Sequence, residues 1–264
     1  MAEINDIAFR ELCKKTGASL CYTGMINPLT QQKLQLEDKP AIQLFCTSES
    51  GIAEFMKKYD KTARLWDFNL GCPAKNARKL GFGSFMCHNL QEIDKILKVI
   101  RESTDKPVTV KLRKSRNINK IIKIAEKYCD AICIHPRTQE QGYSGKADVE
   151  YALKLKKRTK LPVIYSGDVD ENNFKKLEKK FDFLMIGRAA VGNPGIFSRL
   201  SINKQSERIS FKDYLELAIK HKLYFSQIKL QAMNFTKGLK TGKEMRRKLI
   251  LAKTTREIRE IYSI

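Results

Sequence analysis

The chain has 264 residues, with 51 Lys+Arg against 29 Asp+Glu and a formal net charge of +22. Hydrophobic residues make up 42% of it, with 13 Phe, which is enough apolar material for a core and excludes a disordered polyelectrolyte. No apolar run is long enough to cross a bilayer, and seven scattered Cys, an odd number, argue against a disulfide framework and for a reducing cytosol.

The N-terminus opens on Met1-Ala-Glu-Ile-Asn-Asp6, with no apolar stretch of the secretory kind, so a cytoplasmic protein without membrane contact is expected. The residues from Ile4 to Lys15 then read as a helix that Asn5 or Asp6 caps, with Ile7, Leu12 and Cys13 on its buried side. Seven strand-length apolar runs follow: Ser19 to Thr23, Ala41 to Phe45, Leu65 to Leu70, Pro107 to Leu112, Ala131 to His135, Leu161 to Tyr165 and Phe183 to Ile186. Each is near-continuously apolar, the pattern of a strand covered on both faces. Amphipathic helices separate them. Leu90, Ile93, Ile96, Leu97 and Ile100 share one face, and Ile118, Ile121, Ile122, Ala125 and Tyr128 repeat the pattern. This alternation predicts an α/β protein of parallel βαβ units, either a doubly wound sheet or a (β/α) barrel. A helix placed before the first of seven runs is what a barrel missing its first strand leaves behind.

Gly192-Asn-Pro-Gly195 punctuates the chain and places a domain boundary between residues 196 and 197. Residues 197–264 carry 16 Lys+Arg against 6 Asp+Glu, whereas residues 1–196 carry 35 against 23, so the tail is the denser in positive charge. It reads as a bundle of three helices, one from Tyr214 to Phe225, one from Gln231 to Leu239 and one from Lys243 to Ile261. Arg246 and Arg247 lie on its outer side. Such a surface either suits phosphates or is an ordinary solvated helix face, and the overall charge points either to a polyanionic partner, nucleic acid above all, or to a Lys-rich solvated surface.

Reactive groups of a (β/α) barrel gather at the C-terminal ends of its strands. The predicted strand ends present Gln43, Asn69 with Cys72, Lys111 with Arg113, His135 with Arg137, Ser166-Gly167-Asp168, and Gly187-Arg188. Small residues at the last two ends, with Arg188 beside them, either leave backbone N–H groups open to a phosphate or serve tight turns. Cys72 lies in a turn between Gly71 and Pro73, where a thiol is an acid, a nucleophile or a small apolar filler. The other six Cys read as fillers. No Gly-x-Gly-x-x-Gly follows a strand, and no Cys-x-x-Cys or His-Glu-x-x-His occurs, so neither a Rossmann dinucleotide site nor a metal centre is expected.

The runs Asn69 to Pro73, Lys79 to Ser84, Val108 to Arg113, His135 to Gln141, Ser166 to Asp168 and Met185 to Pro194, in this order, resemble the tRNA-dihydrouridine synthases. The resemblance spans residues 1 to about 200 and, more loosely, the tail. It implies a TIM (β/α) barrel over 1–196 and a basic helical tRNA-binding domain over 197–264. It implies reduction of the C5=C6 bond of a uracil in tRNA, with FMN as cofactor and NADPH (or NADH) as electron donor. Cys72 is then the general acid, Asn69 holds the uracil edge, and Gln43, Lys111 and His135 contact the flavin. Ser166, Gly167, Gly187 and Arg188 hold its phosphate, Asp168 is a further cofactor-binding residue, and Arg137, Arg246 and Arg247 face the tRNA. A monomer is expected. Two departures stand out. Ser166 replaces the family's usual Asn, and Met1-Ala2-Glu3 aligns with the end of the family's first strand, so that strand is expected to be absent. Two other readings share these features, an FMN-dependent barrel acting on a free small pyrimidine and a non-catalytic RNA-binding protein.

Overall fold

The structure, a computed structural model, describes residues 4–200 and 209–264. Its elements in chain order are α1 (Ile7–Lys15), β1 (Tyr22–Ile26), β2 (Ala41–Leu44), α2 (Ile52–Tyr59), β3 (Leu65–Leu70), α3 (Lys75–Leu80), α4 (Leu90–Glu102), β4 (Val108–Arg113), α5 (Ile118–Tyr128), β5 (Ala131–His135), α6 (Val149–Lys156), β6 (Val163–Ser166), α7 (Phe174–Glu178), β7 (Phe183–Met185), α8 (Ile196–Leu200), α9 (Phe211–Lys220), α10 (Phe225–Phe235), α11 (Gly242–Leu251) and α12 (Thr255–Tyr262).

The strands form one sheet in sequence order from β1 to β7, and each neighbouring pair from β2 onward is parallel. A doubly wound sheet reverses its strand order partway, and this one does not, so the arrangement is that of a (β/α) barrel. The described residues supply seven strands, with β1 and β7 at the two ends of the order. Met1, Ala2 and Glu3, where the resemblance places the end of a first strand, lie outside the described residues.

Alternation along each strand separates two faces. Trp66, Phe68 and Leu70 of β3, Val108, Val110 and Leu112 of β4, Ile132 and Ile134 of β5, and Val163 and Tyr165 of β6 join one apolar core. Ile93, Ile96, Leu97 and Ile100 of α4 and Ile121, Ile122 and Ala125 of α5 close that core from the helix side, as their spacing predicts. The residues between them turn to the other face, where the register sets Gln43 beside Asp67, Asp67 beside Thr109, Asn69 beside Lys111 and Arg113 beside His135. From β2 to β4 the runs are therefore apolar on one side only, and there the expectation of two apolar faces gives way, because polar groups that bond to one another occupy the inner face. Further along the sheet the expectation holds: Ala131 and Cys133 of β5 and Ile164 of β6, with Met185 of β7 packed against them, form a second apolar cluster.

The chain divides into two compact units, Met25–Gly187 and Met1–Gly24 with Arg188–Ile264. The boundary expected at 196/197 falls inside the second of these. In that unit, Asp6 caps α1 by accepting from the Phe9 N–H at 2.9 Å, and its carboxylate also accepts from Gln231 and Tyr214 of the C-terminal helices. Gly192 has φ +68°, and a Cβ there would lie 2.0 Å from the Asn234 carbonyl, so the glycine permits a backbone contact with α10. Among the described residues the tail holds four helices, not three, after α8. Phe225 opens α10 instead of closing α9. The expected last helix breaks at Ala252, whose backbone is extended, and Thr254 restarts it by capping the Glu257 N–H.

Candidate active site

Cys72 stands in the turn that leaves β3, half-buried, and the N–H and carbonyl groups of Gly71 and Cys72 all have partners. The Gly71 and Cys72 N–H groups both donate to Asn69 Oδ1, at 3.1 and 3.0 Å. Arg113 Nε donates to the Gly71 carbonyl at 2.7 Å. Ser84 donates to the Cys72 carbonyl twice, from its N–H at 3.1 Å and its hydroxyl at 2.9 Å. Gly83 makes that approach possible: its φ is +64°, and a Cβ would lie 2.8 Å from the Cys72 carbonyl oxygen. Burial pushes the thiols of Cys46 and Cys133 up to about 12 and that of Cys87 up to about 11, in keeping with inert core residues.

Behind the turn runs a chain of buried polar groups. Gln43 Nε2 donates to Asp67 at 2.6 Å, Asn69 Nδ2 donates to Gln43 Oε1 at 2.9 Å, and Thr109 donates to the second carboxylate oxygen of Asp67. The polarity of both amides is forced. An ionised carboxylate only accepts, so Gln43 must turn its NH2 to Asp67 and its oxygen to Asn69. Asn69 must then present its oxygen to the turn, where two N–H groups wait. Asp67 is wholly buried, and burial raises its pKa to about 6 against the opposing pull of Thr109, Gln43 and the Lys111 charge.

Lys111 lies across from Asn69, half-buried, and its ammonium makes no hydrogen bond or ion pair among the described residues. His135 ends β5 and is 7% exposed. Burial and the positive charges of Lys111, Arg113 and Arg137 drive its pKa down to about 3, against the weaker pull of Asp168.

The remaining expected residues divide. Arg137, expected to face the tRNA, is 1% exposed and turned inward, with donors on the Ser144 and Gly145 carbonyls and on Asp168. Asp168, at φ +51°, accepts from Arg137 and from the Ala147 N–H, so its carboxylate braces the loop after β5. Gly167 is needed for packing, because a Cβ there would lie 2.8 Å from Ala147 Cβ. Ser166 ends β6 with its hydroxyl unbonded among the described residues, and Gly187 opens onto free space. Arg188 is exposed at the start of a short 3-10 turn. In the tail, Arg246 donates to Thr236 at 2.8 Å and Arg247 is exposed on α11.

Asp67 and Thr109 were not among the expected site residues, nor was the bracing role of Arg113. Asp67 is legible in principle: it stands two residues before Asn69 in one strand, hence on the same face. Tyr143, 59% exposed, is held by the Arg113 guanidinium 5.5 Å from its ring and lies 6.4 Å from the His135 ring.

The donor set suits a flavin. The Lys111 ammonium, the Ser166 hydroxyl and the second amide hydrogen of Asn69 are donors without a partner among the described residues, and a flavin mononucleotide carries carbonyls, ring nitrogens and a phosphate that accept. The fold and this inner face define a (β/α)-barrel protein with a cysteine-bearing polar site. The chain belongs to the dihydrouridine synthase (Dus) family, whose model matches residues 1–261. It is 32% identical to tRNA-dihydrouridine synthase B of Vibrio parahaemolyticus over 76% of this chain and 69% of that one. Identity is 31% to the Pseudomonas aeruginosa protein of the same name, over 76% and 67%. It is 32% to a probable tRNA-dihydrouridine synthase of Rickettsia bellii, over 84% and 76%.

Proposed function

We propose that this chain reduces the C5=C6 bond of a uracil in tRNA to give dihydrouridine, using a flavin. Family membership supports the reaction class, and the single structural observation that carries the reading is the Cys72 turn, braced at Gly71 and Cys72, beside an inner face whose Lys111 and Ser166 donors have no partner among the described residues. FMN is the flavin proposed, with NADPH or NADH as its reductant. When bound and reduced, it supplies the hydride that uracil C6 receives.

The protein's own groups do the rest. Cys72 Sγ–H gives a proton to C5, where negative charge gathers as C6 takes the hydride, and the thiolate left behind is reprotonated from solvent. Asn69 fixes the turn with its oxygen and keeps one amide hydrogen for a uracil carbonyl. Lys111 offers positive charge where electron density builds on the reduced ring. Gln43 orients Asn69. Ser166 and Gly187 are assigned to the cofactor phosphate, with Arg188 as the cation the resemblance adds. Arg137, Gly167 and Asp168 are assigned to shaping the loop after β5 and not to direct contact. Exposed basic residues of α11, Arg247 first, are assigned to tRNA phosphates, and that binding weakens with salt as counterions are released. The target base must leave its stack to be reduced. A cytoplasmic monomer is proposed. Among the described residues, no helix is long and apolar enough to cross a membrane.

Mass-spectrometric mapping of dihydrouridine in tRNA from cells with and without the gene tests the reading. Loss of dihydrouridine at one or more positions, restored by the wild-type chain, is expected. Unchanged tRNA together with reduction of free uracil by the purified protein points instead to a small-molecule enzyme, and a protein that takes up no flavin ends both.

A further inference from the structure

Arg137 Nη1 lies 2.9 Å from His135 Nε2, and both residues are buried. A guanidinium carries donors only and keeps its proton throughout the working range, so Nε2 is the acceptor in this contact. A neutral imidazole that accepts at Nε2 holds its hydrogen on Nδ1. A doubly protonated ring would set N–H against N–H at this distance, inside a shell where Lys111, Arg113 and Arg137 outnumber Asp168. In water the Nε2–H form of a histidine side chain is the more populated one, so the tautomer that this contact requires is an imposed one.

Arg137 is itself held in place. Its Nε donates to the Ser144 carbonyl at 3.1 Å, and its Nη2 donates to the Gly145 carbonyl at 2.6 Å and to Asp168 at 2.5 Å. Asp168 is anchored in turn by the Ala147 N–H at 3.0 Å and adopts a left-handed backbone at φ +51°, a conformation that Asp tolerates better than most residues. The Nη1 donor is thus aimed by contacts on the other side of the same planar group. The Nδ1 atom of His135 makes no hydrogen bond among the described residues and is not closed off from solvent, so its donor stands open to a ligand.

We infer that Arg137 is a positioning residue that holds His135 as the neutral Nδ1–H tautomer, so that the ring offers one N–H donor to a carbonyl or other electron-rich acceptor of a bound reactant. What the donor meets rests on the proposed reaction; the tautomer does not. The assignment gives a buried arginine next to the site a role beyond bracing the loop. It also separates His135 from Lys111: the lysine brings charge and the histidine brings a directed neutral donor.

The chain has three His, which makes the test direct. Protein labelled with 15N-histidine, without tRNA or turnover, is examined by long-range 1H–15N correlation, with His135→Gln to assign the signals. The Nδ1–H pattern is expected for His135, with no protonation from pH 8 down to about 5. An Nε2–H pattern, or titration near the ordinary value of about 6.5, overturns the inference. In Arg137→Met the ring is expected to move to the Nε2–H form, or to titrate with at least tenfold higher proton affinity. If it keeps both the wild-type tautomer and the wild-type titration, Arg137 only braces the loop. Should Arg137→Met fail to fold, the wild-type spectrum still decides. A locked Nδ1–H ring in a protein that forms no dihydrouridine would remove the proposed reaction and leave this inference standing.

Discussion

The two faces of the sheet are made by the same strands and obey different rules. On the helix side, Trp66, Phe68, Val110 and Leu112 are fully buried among apolar side chains, and apart from the Trp66 indole N–H, which donates to Asp60, little there depends on direction. One residue along, Asp67, Asn69, Thr109 and Lys111 meet on the inner face, where each hydrogen bond fixes the polarity of the next. Packing is tolerant of kind and intolerant of volume. A polar chain is the reverse: a change that keeps volume and alters one donor disturbs its neighbours. Stability should therefore follow the outer face and activity the inner one.

Four substitutions test that division, the largest effect first. Cys72→Ala should lower dihydrouridine formation between about 100- and 10,000-fold, the range for a lost general acid, while the melting temperature stays near wild type. A variant at normal rate would remove the proposed mechanism. Phe68→Ala, on the outer face, should cost about 3–5 kcal/mol in denaturant unfolding while leaving the rate per folded molecule unchanged. A rate loss greater than the folded fraction explains would show that the faces are coupled.

Asp67→Asn should act through pH. The folded carboxyl has its pKa raised from 3.8 to about 6, so the folded state holds the proton more tightly. That contribution is fully present below the unfolded value and is lost as pH rises through about 6. The Asn variant has no such loss. Its melting temperature relative to wild type should climb between pH 4 and 7, by the equivalent of at most about 3 kcal/mol. A relative fall over that window would contradict the assignment. Lys111→Met should weaken flavin retention by about 10- to 100-fold, as expected for one charge-assisted hydrogen bond, measured by fluorescence titration with FMN. Unaltered retention would place the flavin elsewhere.

The outer face was the legible one. Leu65 to Leu70 and Ala131 to His135 coincide with β3 and β5, because their large residues recur where helices cover them. The first run, Ser19 to Thr23, slips to Tyr22–Ile26, where the strand is only partly covered. Strand ends supplied Gln43, Asn69, Cys72, Lys111 and His135, which the fold brings to one side of the sheet. Asp67 escaped because it stands one layer deeper, in mid-strand, where a search of strand ends does not reach. The burial of Arg113 and Arg137 escaped for another reason. Their partners are carbonyls of the loop 138–145, and only tertiary structure brings that loop back over the strand ends. The tail's helix count was misread at Ala252, where the break leaves little mark in the apolar spacing.

The turn around Cys72 has one more consequence. Cysteine enzymes that attack carbonyl groups need backbone N–H groups near the sulfur left open, to receive the oxyanion that forms. Here the Gly71 and Cys72 N–H groups are both capped by Asn69, and Asn69 cannot release them without breaking the chain that ends at Asp67. Those two N–H groups are therefore closed to a reactant's oxyanion, which sets this turn apart from one built for acyl transfer and accords with the proposed role of its thiol as a proton donor.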